Sequence, residues 1–275
     1  MTNQFKKMAL CFLLASTSLI QSANIFFDLN GVLIKTSKKA FVSNIGFSNM
    51  LSFLFKFNNP FSVFNRTFEI LHKIEAKNEN TYGATDGKGH ILPNIMCDWM
   101  LGRKTEEIRA QITDFIDENH DFFHNTSEET IIRKVTTSIF TPEIMASATK
   151  INKKAYKLAK KCFKEDHNLF VLSNWDGESF DLLYEKHEKL FRFFEKEQII
   201  ISGQIGLMKP DPAIYAYVLE TFELNPAECI FLDDQQENID AAKEMGIRSI
   251  LYKNSDIDNI KDELEELIDE IGYST

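Results

Sequence analysis

The chain has 275 residues, of which 44% are hydrophobic and 26% charged, a composition that suits one globular core with a smaller additional domain. Its formal net charge of −10 and its lack of a lysine- and arginine-rich block argue against a nucleic-acid partner. The four cysteines lie far apart and match no zinc spacing, so we expect buried thiols rather than disulfides: Cys11, Cys97, Cys162 and Cys229.

The N-terminus has the pattern of a secretory signal. Lys6 and Lys7 form a charged start, and the largely apolar run over 8–20 is too short to favour a membrane-spanning helix. We predict a signal peptide over 1–23, cleaved after Ala23, and therefore export to the periplasm or the exterior. An uncleaved membrane anchor is the alternative, and without either the protein would be cytoplasmic.

A short apolar strand follows over 25–27, and a different kind of segment begins after it. The stretch over 35–151 contains helical patterns at 68–77 and 105–118 and a glycine-containing loop at 82–90. Six phenylalanines lie close together in it: Phe53, Phe55, Phe57, Phe61, Phe64 and Phe68. We interpret them as core packing, with a hydrophobic substrate tunnel as the alternative.

From about residue 152 onward, helices alternate with apolar strands. Helices are predicted at 153–166, 180–194, 213–222, 237–245 and 257–271. Strands are predicted at 169–172, 199–201, 229–232 and 247–251. Strands that are apolar on both faces and alternate with helices indicate an α/β fold with a Rossmann-like parallel sheet covered by helices on both faces.

Polar side chains stand where three of the predicted strands end, and a lysine lies between the last two. Asp28 ends the first strand, Ser173 follows the second, and Asp233 and Asp234 end another, while Lys209 precedes a proline. Because ligands of parallel sheets bind beyond the carboxyl ends of the strands, we expect these side chains to lie together.

This order of residues resembles the four-part signature of the haloacid dehalogenase superfamily, whose members are mostly aspartate-nucleophile phosphatases. It is similar in particular to the glucose-1-phosphate phosphatase and epoxide hydrolase N-terminal type. The resemblance implies a hydrolase core over 24–34 and 152–275. It also implies that the mostly helical segment over 35–151, inserted after the first strand, is a cap domain.

The resemblance implies a catalytic role for several residues. Asp28 would attack phosphorus and form an aspartyl-phosphate. Ser173 would donate a hydrogen bond to a phosphate oxygen, and Lys209 would pair with Asp28 and the phosphate. Gly31 occupies a turn that requires a residue free to adopt positive φ. The implied substrate is a small phosphorylated metabolite.

The same resemblance implies a Mg²⁺ cofactor. Asp28 and Asp234 would be its direct carboxylate ligands, with Asp233 beside them and Asn238 behind them. The backbone carbonyl of Asn30 would also reach the metal, and an asparagine supplies that carbonyl as well as an aspartate does.

Two further residues lie at the expected mouth of the site. Asn174 and Trp175 directly follow Ser173, and we assign them to substrate binding together with Gly31. For Trp175, packing at the hinge of the cap is an equally weighted interpretation.

Asn30 departs from the phosphatase pattern, in which a second aspartate protonates the leaving alcohol and later deprotonates water. A neutral amide does neither, and general acid–base help is worth about 10²–10⁴ in rate. The enzyme would then be slow or restricted to good leaving groups, or Asp176, Asp86 or His90 would take the role. Otherwise the protein would bind phosphorylated ligands without turning them over.

We therefore expect a magnesium-dependent hydrolase of small phosphate monoesters. A catalytically impaired phosphate-binding protein is the first alternative, and Asn30 is the feature that favours it. A metal-independent 2-haloacid dehalogenase is the second alternative, against which the retained Asp233 and Asp234 argue. The sequence leaves the substrate and the oligomeric state open.

Overall fold

The computed structural model describes residues 22–37, 40–41 and 61–273, and its centre is a five-stranded parallel sheet with the strand order β5-β4-β1-β6-β7. The strands are β1 (Asn24–Phe27), β2 (Ile34–Thr36), β3 (Thr149–Ile151), β4 (Asn168–Ser173), β5 (Ile199–Ile201), β6 (Cys229–Asp233) and β7 (Arg248–Leu251). The α/β fold with a parallel sheet and a mostly helical insertion, as predicted from the alternation of elements, is confirmed.

Helices connect the sheet strands and form most of the insertion. In chain order they are α1 (Phe61–Leu71), α2 (Asn94–Met100), α3 (Thr105–Glu118), α4 (Thr126–Ile139), α5 (Pro142–Ser147), α6 (Lys153–Lys164), α7 (Gly177–Lys186), α8 (Glu188–Phe191), α9 (Ser202–Ile205), α10 (Pro212–Thr221), α11 (Gln236–Glu244) and α12 (Ile257–Tyr273). Within the described ranges, no helix combines the length and apolarity needed to cross a membrane.

Strand β1 lies in the middle of the sheet because it is apolar on both faces. Successive side chains of a strand point to opposite faces. Ile25 and Phe27 therefore pack into the core on one side of the sheet, and Phe26 packs into the core on the other. The ring of Phe26 stacks on that of Phe170 in β4, with 4.5 Å between centroids.

The register of the parallel strands brings their carboxyl ends to one edge. Phe27, the last residue of β1, is paired with Val171 of β4 and Leu232 of β6. The next backbone amide, that of Asp28, donates a hydrogen bond of 2.9 Å to the carbonyl oxygen of Leu232. The polar residues that follow these strands are therefore neighbours at this edge, as predicted from their order.

The helical insertion starts and ends beside one short antiparallel pair. Ile34 of β2 faces Ile151 of β3, so the chain leaves the core and returns to it at adjacent points. The predicted limits of the cap, 35 and 151, fall within this strand pair, and the division into domains stays a prediction.

The insertion has a hydrophobic core of its own. Ile108, Ile112 and Ile116 recur every four residues on one face of α3 and are buried in it. Phe64 and Phe68 are partly buried against this core, which agrees with core packing. Three of the phenylalanines discussed above lie outside the described residues, and the side chain of a fourth does too: Phe53, Phe55, Phe57 and Phe61.

Two predicted helices differ from the structure. The pattern at 68–77 corresponds to the end of α1, which stops at Leu71, because the Asp98 carboxylate accepts the backbone N–H groups of Lys77 and Asn78 and holds that stretch in another conformation. The predicted helix over 180–194 is interrupted at His187, whose φ is −116°. The ring of His187 hydrogen-bonds Thr149 in β3, a tertiary contact that the local pattern cannot show.

The predicted buried thiols are confirmed for the three cysteines within the described ranges. Cys97, Cys162 and Cys229 are free and buried, and desolvation raises the pKa of each to about 12. Cys11 and the signal segment up to residue 21 lie outside the described residues. Ala23, the predicted cleavage residue, is fully buried, and its carbonyl accepts the N–H of Asn168 at 3.0 Å.

Candidate active site

Lys209 is the centre of the polar cluster at the carboxyl edge of the sheet, and it is only 1% exposed. Its ammonium group donates to three oxygen atoms: Asp28 Oδ1 at 2.7 Å, Asp233 Oδ2 at 2.6 Å and the carbonyl oxygen of Leu172 at 2.9 Å. An ammonium has three donors, so all of them are used. Lys209 therefore ties the end of β1 to the ends of β4 and β6.

The backbone of Lys209 is held by Asn174. The Asn174 amide oxygen accepts the Lys209 N–H at 2.8 Å, and the amide nitrogen donates to the Lys209 carbonyl at 2.7 Å. We predicted Asn174 as a substrate-binding residue. In the structure both ends of its amide position the lysine, and the substrate-binding role stays a prediction.

Asp233 serves as an anchor for Lys209. Besides the lysine, its carboxylate accepts the backbone N–H of Gln235 at 2.8 Å and the amide of Asn238 at 3.0 and 3.1 Å. We included Asp233 among the metal ligands. Both of its oxygens accept hydrogen bonds and it fixes Lys209, while its role as a metal ligand stays a prediction.

The charges in the cluster do not balance, since Asp28, Asp233 and Asp234 surround the single ammonium of Lys209. Burial raises the pKa of Asp28 to about 8 against the attraction of Lys209, and the charges of Asp233 and Asp234 add to the rise. For Lys209, burial lowers the pKa, but Asp233 and Asp28 outweigh it and the net direction is upward. The site therefore favours additional positive charge.

Among the buried polar atoms without a hydrogen-bond partner in the described residues, two belong to residues that end a sheet strand or directly follow one. They are Ser173 Oγ, at the end of β4, and Asp234 Oδ1, just after β6. Buried polar groups are almost always hydrogen-bonded, so each such atom calls for an explanation. A hydroxyl that can donate and a carboxylate oxygen that can accept fit a site for an anion and a cation.

The Asp234 carboxylate lies directly against the turn that follows β1. A methyl group added at Gly31 would be 2.0 Å from Asp234 Oδ2, so a larger residue there would have to displace this carboxylate. Gly31 also has φ of +97°, in agreement with the predicted need for positive φ. Burial, followed by the charge of Asp233, raises the pKa of Asp234 to about 6.

These residues fit a magnesium ion. Asp28 and Asp234 offer carboxylate oxygens, one of them without a partner in the described chain, and excess negative charge surrounds them. No group of three His, Cys, Asp or Glu side chains converges as a complete metal site within the described ranges. Mg²⁺ commonly takes one or two carboxylates and completes its shell with water and phosphate oxygens.

A loop of the insertion covers Asp234, and it contains Asp86 and His90, which the sequence offers as alternative acids. A methyl group at Gly87 would be 3.3 Å from Asp234 Oδ2. Thr85 hydrogen-bonds Glu237 in the first turn of α11, a residue 152 positions away. Thr85 also pairs with Ile91 across the loop. We call residues 85–91 the covering loop.

The remaining predicted residues lie at or beside the edge. Asn30 is exposed, and its Oδ1 accepts a hydrogen bond of 3.0 Å from Thr36 Oγ1. Trp175 is 5% exposed and packs in the main core. Its backbone N–H donates to Ser202 Oγ, which donates in turn to the backbone carbonyl of Met100 in the insertion. This arrangement favours packing at the hinge over a substrate contact for Trp175.

Asp176 is buried and caps helix α7. Its Oδ1 accepts the N–H of Ser179 at 2.7 Å, and burial raises its pKa to about 6. The carboxylate therefore already has a structural role as an N-cap.

A cleft of about 350 Å³ separates residues 77–84 of the insertion from residues 206–211 of the core, and it reaches Lys209. Its walls include the amide and hydroxyl residues Asn78, Asn80 and Thr81. A cleft with such walls is more compatible with a polar molecule than with an apolar one.

Comparison with known proteins identifies a family of hydrolases that matches most of the chain. The family model for haloacid dehalogenase-like hydrolases matches residues 23–246. Bifunctional epoxide hydrolase 2 of Mus musculus is 37% identical over 103 residues, which are 37% of this chain and 18% of that protein. A sesquiterpene phosphatase of Aspergillus oryzae is 33% identical over 79 residues, 29% of this chain and 39% of that one.

Among solved structures, a haloacid dehalogenase family enzyme of Bacteroides thetaiotaomicron superimposes with a TM-score of 0.51 at 20% identity, covering 85% of this chain and 95% of that one. That structure is an aspartate-to-alanine mutant in complex with magnesium and inorganic phosphate. At this identity the likeness concerns the fold. Together with the family match over most of its length, it shows that the chain belongs to the haloacid dehalogenase-like hydrolases.

Proposed function

We propose that this protein is a magnesium-dependent phosphatase of small phosphate monoesters that acts through an aspartyl-phosphate on Asp28. The observation that carries the proposal is the buried contact of Lys209 with Asp28 and Asp233, beside the unpartnered oxygens of Ser173 and Asp234 in the described chain. The phosphatase name of one relative and the magnesium and phosphate in the Bacteroides structure support it.

The chain's own residues account for the first chemical step. The free oxygen of Asp28 attacks phosphorus while Lys209 keeps the other oxygen in place. Ser173 Oγ donates to a phosphate oxygen, which gives this buried hydroxyl a partner that it lacks among the described residues. Asn174 and Asp233 act on this step indirectly, because they position Lys209.

Asp28 and Asp234 would hold the magnesium ion with the backbone carbonyl of Asn30. When bound, the ion supplies positive charge that offsets the repulsion between these carboxylates and the incoming phosphate. The substrate would be a small phosphorylated metabolite, and the polar cleft beside Lys209 supports this class.

Metal dependence is the first property to measure. With p-nitrophenyl phosphate as substrate, we expect repeated turnover in the presence of magnesium and its loss in excess chelator, because the uncompensated carboxylates then repel the phosphate. Readdition of magnesium should restore the rate. Turnover that is unchanged by chelator would contradict the proposed role of Asp234.

Asn30→Asp places a carboxyl group where it can protonate the leaving oxygen, and we expect it to raise turnover only if no other residue already supplies that proton. Asn30 is exposed and only accepts a hydrogen bond from Thr36, which an aspartate can also accept, so the fold should be unaffected. The measurement is kcat on an alkyl phosphate, where acid catalysis matters most. A flat or lower rate would show that another acid already serves.

The neutral Asn30 also favours a second candidate, a protein that binds phosphorylated ligands without turning them over. Pre-steady-state kinetics separate the two functions. Release of one p-nitrophenolate per protein, with no further release afterwards, would mean that Asp28 attacks but the aspartyl-phosphate is not hydrolysed. Absence of any burst, together with tight binding of inorganic phosphate, would support the binding protein.

A further inference from the structure

Asn30 leaves the proposed reaction without a proton donor at the position that the resemblance indicates. Protonation of the leaving oxygen is worth about 10²–10⁴ in rate. Asp176 is poorly suited to be this proton donor, because its carboxylate already caps α7. The following inference rests on the proposed phosphatase function and identifies a replacement acid in the covering loop.

The covering loop and the turn containing Asn30 meet at one oxygen atom. Gly31, the residue after Asn30, lies against Asp234 Oδ2, and so does Gly87. The bond from Thr85 to Glu237 fixes the loop in this place. Gly87 is therefore held beside the same edge of the sheet as Asn30, and His90 follows it by three residues in the loop.

Within the loop, Asp86 organises His90. Asp86 Oδ1 accepts the backbone N–H groups of Lys88 at 2.9 Å and His90 at 3.0 Å, and Asp86 Oδ2 lies 3.1 Å from His90 Nδ1. Partial burial raises the pKa of Asp86, but these hydrogen bonds outweigh it and hold the pKa below its ordinary value. Since a carboxylate only accepts, Nδ1 is the donating nitrogen.

The other ring nitrogen of His90 is available. The side chain is 65% exposed, and Nε2 makes no hydrogen bond to the part of the chain that the structure describes. A carboxylate on one nitrogen orients the ring, and it leaves the second nitrogen for proton transfer. A histidine held in this way has the form of a general acid–base group.

We propose that His90, oriented by Asp86, is the general acid and base of this enzyme in place of the residue at position 30. As the Asp28–phosphorus bond forms and the ester bond breaks, the Nε2 proton passes to the leaving alkoxide, which departs as the alcohol. The neutral ring then takes a proton from water as the water oxygen attacks phosphorus. The Asp28–phosphorus bond breaks, and carboxylate and imidazolium are restored.

The test variant is His90→Asn, whose amide N–H can still donate to Asp86 while the second ring nitrogen is lost. It should reduce kcat/KM on an alkyl phosphate by about 10²-fold. With p-nitrophenyl phosphate, whose leaving group needs little protonation, the loss should be no more than about threefold. Equal losses on both substrates would indicate a structural role and would overturn the proposal.

The matched control is His120→Asn. His120 also pairs through Nδ1 with a carboxylate, that of Glu129, at 2.9 Å and 63% exposure, but it is not part of the covering loop. We expect no change on either substrate. An effect equal to that of His90→Asn would mean that loss of such a pair acts generally rather than in the reaction.

A double substitution tests replacement directly. In the His90→Asn background, Asn30→Asp should recover most of the lost rate on alkyl phosphates, since either residue then supplies the proton. Failure to recover would overturn the proposal. The unsubstituted enzyme distinguishes failure of the proposed phosphatase function from failure of the role of His90. If it turns over phosphate esters and His90→Asn leaves the rate unchanged, only the role of His90 is rejected. If it shows no turnover at all, the proposed function is rejected.

Discussion

Replacing Asp28 by asparagine is expected to reduce hydrolysis of phosphate monoesters by at least about 10⁴-fold, because an amide oxygen cannot form the covalent intermediate. The side chain is nearly isosteric and can still accept a hydrogen bond from Lys209. Loss of activity would therefore reflect loss of the nucleophile rather than loss of the fold. The measurement is kcat/KM on p-nitrophenyl phosphate, with circular dichroism and thermal unfolding as checks.

Asp258→Asn provides the matched control for this experiment. Asp258 lies in the first turn of α12 at the surface, and its Oδ1 accepts a hydrogen bond of 2.7 Å from Lys261, which an asparagine can also accept. Its activity should stay within about twofold of the unsubstituted protein, since surface changes of this kind are usually near neutral. Activity that survives Asp28→Asn would remove Asp28 from the role of nucleophile.

The second large effect is expected for Lys209→Met, which should lower the free energy of unfolding by about 3–5 kcal/mol. Methionine fills much of the lysine volume, so the main change is electrostatic. The buried Asp28 and Asp233 lose their shared cation, and Asp234 remains near them. The measurement is urea unfolding at pH 7 and fixed ionic strength.

A double-mutant cycle shows whether this loss comes from uncompensated charge. Asp28→Asn removes one carboxylate, so adding it to Lys209→Met should restore part of the stability rather than add a further loss. Lys186→Met is a suitable control, because Lys186 bonds three backbone carbonyls of the insertion and meets no carboxylate there. A loss below about 1 kcal/mol for Lys209→Met would contradict the buried ion-pair interpretation.

The sequence was sufficient to predict the core because its signal is periodic and local. The apolar strands ending at Asp28, Ser173 and Asp233 are buried on both faces, and in a parallel sheet their carboxyl ends meet at one edge. The interrupted helix at His187 was not predictable in this way, because the ring contact with Thr149 comes from a distant part of the chain.

The sequence by itself determined the family, the sheet and the identity of the residues at its carboxyl edge, since order and hydrophobic pattern are enough for that. Only the tertiary structure decided how these residues divide their tasks. Both the amide of Asn174 and the carboxylate of Asp233 are used to hold Lys209, which leaves Asp234 with a free oxygen in the described chain.

The position of the covering loop was also decided only by the tertiary structure. Nothing in the residues around Gly87 indicates a contact with Asp234, because the two are brought together by the packing of the insertion on the core. Local patterns report which face of an element is buried, but a contact between loops depends on how separately formed units pack. For this protein, the sequence was enough to identify the residues of the candidate active site, whereas their contact partners depend on the tertiary structure.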